Sequence, residues 1–251
     1  MKPTIEVSHV SKKYKIGESK SYVTLRDEIA ELFEGNKNKK QDVLDKDEFW
    51  ALKDVSFSIH SGEIVGILGR NGAGKSTILK ILCRITPPSQ GIITLRGTVA
   101  SLLDVGTGFQ SELTGRENIY LNGAILGMRR SDVKEKFDEI VAFSELEKFL
   151  DTPFKYYSSG MFVRLGFAIA AHLKSEILIF DEVLAASDAA FQKKSIQKMK
   201  ELQKQGRTII FVSHNMNFLK SLCKRVIYFK KGLVFQDGEA DEVIHSYMQK
   251  I

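Results

Sequence analysis

Apolar residues recur along this 251-residue chain in two rhythms, one of period two and one near 3.6, and their order predicts the architecture. Residues 4–10, with Ile5, Val7 and Val10, read as a strand, and residues 55–59 as a second one that ends at a Ser61-Gly62 turn. Residues 64–68 are apolar throughout with one glycine, the composition of a strand buried on both faces of a parallel sheet. Helical spacing begins after Gly74, at Ile78, Leu79, Ile81 and Leu82, and is expected to stop at Pro87-Pro88. Residues 92–95 and 98–103 read as strands joined near Gly97. From Gly115 to Leu173 the pattern is mostly helical, with Val133, Phe137, Ile140 and Val141 on one face. The stretch 161–173 carries Arg164 as its one formal charge and should be largely buried. A short apolar strand at 177–180, a basic helix at 191–205 and a strand at 208–212 follow.

Strands separated by helices, with a helical block inserted midway, predict an α/β fold: one unit over 1–251 with a helical subdomain near 105–173. Residues 15–49 interrupt the pattern as a polar insertion. Within it Leu25, Ile29, Leu32 and Phe33 mark one face of a short helix, and Lys37, Lys39 and Lys40 a loop.

Composition narrows the class. Hydrophobic residues make up 43% and charged residues 27%, which excludes a disordered or fibrous chain. The longest stretch without Asp, Glu, Lys or Arg is twelve residues, 208–219, whereas a membrane span needs about 20. The opening residues hold no apolar signal core, so the chain is expected to stay in the cytosol. Cys83 and Cys223 form no disulfide framework and have no metal-ligand spacing. The net charge of +6 admits nucleic acid, a membrane surface or phosphorylated ligands. The lysines of the basic helix (Lys193, Lys194, Lys198, Lys200 and Lys204) have no interleaved aromatics for base stacking and read as a solvated face, so nucleic acid is not expected as a partner.

The chemistry concentrates after the strand at 64–68. Gly69, Arg70, Asn71, Gly72, Ala73, Gly74, Lys75, Ser76 and Thr77 fit the pattern G-x-x-x-x-G-K-[ST]. The glycines let backbone N–H groups turn inward around phosphate oxygens, and the following helix offers its positive end. Lys75 is expected to reach the outer phosphates, and the Ser76 hydroxyl to ligate Mg²⁺. Hydrolysis further needs a metal anchor and a group that orients water. The strand 177–180 delivers both in Asp181 and Glu182, and the strand 208–212 ends in Ser213 and His214, an imidazole placed to contact a γ-phosphate.

Tyr157-Ser158-Ser159-Gly160-Met161, just before a buried helix, resembles the signature motif of ABC-type ATPases. The order of the other motifs resembles that family too, over essentially the whole chain. The resemblance implies a P-loop NTPase fold with a mixed sheet core, ATP and Mg²⁺ as cofactors, and ATP hydrolysis. It gives Tyr14 as the adenine-stacking aromatic, Glu182 as catalytic glutamate, His214 as switch histidine and Asp188 as a dimer contact. In the family, signature residues such as Ser158, Ser159 and Gly160 serve the nucleotide of the opposite subunit, so one copy of each motif implies a homodimer.

Departures from the general pattern point to one branch. Ser159 stands where glycine is usual, Met161 where glutamine is usual, and Ala185-Ala186-Ser187-Asp188 replaces Ser-Ala-Leu-Asp. The coupling glutamine is missing from the end of the strand 98–103, which leaves Asp104 and Gln110 as alternatives for that role. The runs 104–109, 112–118 and 211–216 are similar to ATPase subunits that export O-antigen, capsule or teichoic acid, although Ala186-Ser187 stands where that branch usually has Val-Gly. Ending at Ile251, the chain is not expected to read the glycan itself.

An exporter of this kind implies a separate multi-span permease, two copies beside two of this chain, with the ATPase at the cytoplasmic face and touching the membrane only through that partner. The 15–49 insertion either contacts the partner or lipid head groups, or packs on the chain's own sheet. Two rival readings share these residues: a soluble ABC ATPase of cofactor assembly or DNA metabolism, and a nucleotide-gated module without turnover. The presence of both Glu182 and His214 argues against the second.

Overall fold

The computed structural model describes residues 2–15, 47–102, 108–181 and 187–249. Most of the 15–49 insertion, with its expected helix, lies outside the described residues, as do Asp104 and Glu182.

Among the described residues nine strands form two sheets. Strands β1 (Ile5–Lys15), β2 (Glu48–Ile59) and β4 (Gln90–Leu95) make an antiparallel sheet in the order β2-β1-β4. The second sheet contains β3 (Ile64–Leu68), β5 (Val99–Leu102), β6 (Ile177–Phe180), β7 (Thr208–Val212), β8 (Arg225–Lys230) and β9 (Leu233–Glu239). Its order is β5-β6-β7-β3-β8-β9, parallel except for the β8-β9 hairpin. Among the described residues seven α-helices accompany the strands: α1 (Lys75–Leu82), α2 (Gly115–Ile125), α3 (Arg130–Ser144), α4 (Ser159–Ala171), α5 (Ala189–Lys204), α6 (Met216–Leu222) and α7 (Ala240–Met248). Among the described residues no helix is long and apolar enough to cross a membrane.

The large sheet separates two cores, and strand alternation sorts the residues between them. Ile64, Leu68, Leu178, Phe180, Ile209 and Phe211 face the core shared with α2 to α7. Val65, Ile67, Ile177, Ile179, Ile210 and Val212 face the core shared with α1 and the antiparallel sheet. Burial on both faces is why β3, β6 and β7 read as unbroken apolar runs in the sequence.

The structure extends or revises several expectations. Strand β1 runs on to Lys15 and β2 starts at Glu48, because cross-strand pairing carries both through polar residues such as Lys13, opposite Trp50. Helix α1 ends at Leu82, short of Pro87: Arg84 turns left-handed (φ 58°) and the Ile85 N–H bonds back to the Lys80 carbonyl at 2.8 Å, a Schellman closure. Strands β4 and β5, adjacent in sequence, belong to different sheets. Elements α6, β8, β9 and α7 were not legible from the pattern. Lys194 is only partly solvated, since its Nζ donates to the carbonyl of Phe143 (3.0 Å) and pairs with Glu145 (2.7 Å).

Candidate functional site

The phosphate loop leaves the C-terminal end of β3, at the centre of the large sheet, and turns into α1. Gly69 and Gly74 hold φ of 156° and 105°, in the region L side chains avoid. Their surroundings are also closed. A β-carbon on Gly69 would lie 2.4 Å from the Phe229 carbonyl oxygen, and one on Gly74 would lie 2.8 Å from that of Ala51. At Gly72 a β-carbon would meet nothing within 4 Å, so the loop is backed by protein at its ends and open at its crown.

Lys75 is the buried cation of the loop, 8% exposed, and its Nζ donates to the carbonyls of Gly69 (2.6 Å) and Arg70 (3.1 Å). Those bonds arch the loop over the ammonium group and draw its carbonyls inward toward the lysine. Ser76 and Asn71 are exposed and Thr77 is half-buried at the start of α1. The Gly232 N–H donates to the Ala73 carbonyl (3.0 Å), and Lys53 N–H to the Gly232 carbonyl (2.9 Å), so the β8-β9 turn braces the loop against β2.

Gly69, Asp181 and His214 each lie just past the C-terminal end of a neighbouring strand: β3, β6 and β7. At about 4.8 Å between strands, β6 and β3 are two spacings, roughly 10 Å, apart. Asp181 and His214 are half-buried. His214 is carried in a fixed turn, because the Ser213 hydroxyl accepts from Asn215 N–H (3.0 Å) and the Asn215 side chain caps α6 through Phe218 N–H (3.1 Å). Tyr14 lies near the end of β1 beside Phe49, ring centroids 6.1 Å apart, with Lys12 Nζ 5.2 Å from its ring. Leu52, opposite Lys12, is the residue whose side chain would meet a β-carbon on Gly74 at 2.7 Å. Tyr14 thus belongs to the strand pair that walls the loop.

The signature residues lie at the start of α4. The Ser158 hydroxyl accepts from Met161 N–H at 3.3 Å as an ordinary N-cap, while Ser158 and Ser159 are exposed. A β-carbon on Gly160 would meet only Ser158 Oγ, at 3.9 Å, so nothing within the chain requires glycine there. Tyr157, by contrast, is anchored: its hydroxyl donates to the Phe149 carbonyl (2.7 Å), and burial pushes its pKa up to about 12.

Gln110 is held by its backbone. The buried Asn118 accepts from Gln110 N–H (2.8 Å) and donates to its carbonyl (3.0 Å), leaving the Gln110 side chain exposed. Its neighbour Phe109 packs on Phe154 with ring centroids 4.4 Å apart. Asp104, the other coupling alternative, and Glu182 lie outside the described residues.

Asp188 caps α5 through Phe191 N–H (3.0 Å) and pairs with Arg164 of α4. The guanidinium, with that N–H, holds the Asp188 carboxyl down at about 2. Arg164 also pairs with Glu145 (3.0 Å) and lies over the Phe191 ring (5.2 Å), so one side chain ties the signature helix to the start of α5 and the end of α3. Sequence reasoning did not assign Arg164 a role. Its signal was present, since a lone charge in a buried helix must find an acid. Gly232 and Asn118 were missed as well, and only the turn residues Lys231-Gly232 hinted at the first.

Comparison with known proteins follows the same lines. Residues 52–185 match the family described as ABC transporter. The chain is 44% identical over 249 residues to the O-antigen export system ATP-binding protein RfbB of Klebsiella pneumoniae, covering 99% of each. It is 42% identical to the teichoic acids export ATP-binding protein TagH of Listeria innocua, covering 97% of this chain and 69% of that one. Among solved structures, the dimeric structure of MJ0796, a bacterial ABC transporter cassette, superposes with a TM-score of 0.74 at 24% identity, covering 94% of this chain and 98% of that chain. A dimer of the same cassette in a post-hydrolysis state, bound to ADP and Pi, gives 0.70 at 23% identity, again covering 94% and 98%. At such identities these structures speak for the fold, an ABC ATPase cassette.

Proposed function

The chain belongs to the ABC transporter family, and on that footing we propose that it is the ATP-hydrolysing subunit of an exporter moving lipid-linked polysaccharide of the O-antigen, capsule or teichoic acid type across the cytoplasmic membrane. The observation that carries this reading is the end-to-end similarity to an O-antigen export ATP-binding protein, 99% of each chain. A soluble ABC ATPase would share the phosphate loop, but the relatives named for polysaccharide export weigh against it.

The donor set suits a nucleoside triphosphate with Mg²⁺. The loop is open at Gly72 and offers N–H groups at the start of α1, and the Ser76 hydroxyl and Asp181 carboxylate are hard oxygen donors. When bound, Mg²⁺ held by Ser76 and Asp181 would neutralise charge on the outer phosphates. The residues of Gly69 to Thr77 bind and orient the phosphates, with Lys75 exchanging its carbonyl partners for phosphate oxygens, and Tyr14 stacks on the base. Glu182 orients and accepts a proton from the attacking water, and His214 steadies the γ-phosphate.

Two chains form the working unit. Ser158, Ser159 and Gly160 then face the partner's nucleotide, which supplies a reason for a glycine that its own chain does not require. Asp188 contacts the partner at the dimer seam. A separate multi-span permease, two copies beside two of this chain, receives the motion through Gln110 or Asp104. This places the ATPase on the cytoplasmic face, attached to the membrane through the permease, with nucleic acid playing no part.

Phosphate release by purified protein tests the site. Glu182→Gln is expected to abolish turnover while retaining ATP and accumulating as an ATP-dependent dimer in gel filtration. Turnover at the wild-type rate in that variant would overturn the assignment.

A further inference from the structure

A cavity of about 460 Å³ opens at the end of the large sheet opposite the phosphate loop. It is lined by the start of β3, the last turns of α5 and α6, and the first residue of β8. The five residues of β3 separate it from the loop by about 17 Å.

Its charge is one-sided. Lys200 and Lys204 enter from α5, Lys220 and Lys224 from α6 and the residues after it, and Arg225 from β8. Two of these five cations are paired: Lys220 with Asp241 (2.9 Å), and Arg225 with Asp237 (2.7 Å) and Glu63 (3.3 Å). Among the described residues Glu63 is the sole acid in the lining, and it also accepts from His60 N–H (2.7 Å). Among the described residues Lys200, Lys204 and Lys224, all exposed, make no ion pair, which leaves three unpaired lysines in the lining of one concavity. The negative end of α5 accounts for a lysine in its last turn, but not for Lys224 arriving from the other wall. The floor is apolar, with Ile64, Leu222 and Cys223 all at most 6% exposed.

We propose that this cavity binds a free polyphosphate, its phosphates between Lys200, Lys204 and Lys224. The volume is that of a small-molecule site rather than the extended groove that tracks a nucleic acid strand. The cations left over are ammonium groups, compact point charges that suit phosphate oxygens in any rotation. The one guanidinium, whose fork fits carboxylate or phosphate, is already committed to Asp237 and Glu63. Three uncompensated charges favour several phosphates over one.

Equilibrium dialysis of the full chain with labelled inorganic tripolyphosphate, the phosphate loop saturated with Mg-ADP, tests the proposal. Wild-type protein is expected to take up one equivalent beyond the loop. The triple variant Lys200→Gln, Lys204→Gln, Lys224→Gln is expected to bind it at least ten-fold more weakly, with ADP affinity at the loop unchanged as the control for folding. Equal affinity in the triple variant, or no equivalent beyond the loop, overturns the site. Hexa-aspartate or a single-stranded oligonucleotide binding the wild type as tightly as tripolyphosphate overturns the ligand class.

Discussion

The hydroxyl of Tyr157 occupies the space that a side chain on Gly115 would need: a β-carbon there would lie 2.0 Å from the oxygen and 3.1 Å from Cζ. The same hydroxyl donates to the Phe149 carbonyl, so one tyrosine joins the start of α2, the turn after α3 and the residue before the Ser158 cap. Gly115→Ala is expected to destabilise the fold by about 1–3 kcal/mol through overpacking, and Tyr157→Phe by about 1 kcal/mol through the lost hydrogen bond. In urea denaturation the double variant should cost less than the sum of the two, because Phe removes the atom that clashes.

Lys75→Ala removes the ammonium group that arches the loop through the Gly69 and Arg70 carbonyls. ATP turnover is expected to fall by about 10²–10³-fold, as for loss of one preorganised charge in a phosphoryl-transfer site, with the circular dichroism spectrum unchanged. A loss of less than ten-fold would separate Lys75 from the phosphates.

Asp188 should titrate near 2 by carboxyl NMR, and Arg164→Ala should return it towards the usual value of about 3.9. A carboxyl whose folded pKa lies below its unfolded one contributes stability that is present above about pH 4 and is lost as pH falls through about 2. The acid unfolding curve of Arg164→Ala should therefore be shallower between those values, and an unchanged Asp188 titration would contradict the pairing.

The two cysteines should differ in reactivity. Burial pushes the Cys223 thiol up to about 12, and Cys83, less buried, is raised to a smaller degree. Iodoacetamide at pH 8 is expected to label the native protein slowly at Cys83 and to leave Cys223 unmodified until urea unfolds the chain, read by mass spectrometry.

What the sequence disclosed depended on how local each feature is. Strands β3, β6 and β7 were read to their bounds because two-sided burial makes each a continuous apolar run. The phosphate loop was legible because Gly69, Gly74 and Lys75 act through backbone conformation and reach within nine adjacent residues. Strand β4 gave no sign that it pairs with β1, since a register across some eighty residues leaves no local trace. Helix α6 has only seven residues, too few to set a helical period apart from chance. The tie between Arg164 and Asp188 spans 24 positions; the sequence shows only that a buried arginine needs an acid, not which one.

The most direct test of the account is affinity purification of the tagged chain from its native membranes in mild detergent, with mass spectrometry of what accompanies it. A multi-span protein in one-to-one ratio, forming a particle with two copies of each chain, is the predicted result. Recovery of the chain only from the soluble fraction, alone or with soluble proteins, would contradict the exporter reading and favour a soluble ABC ATPase.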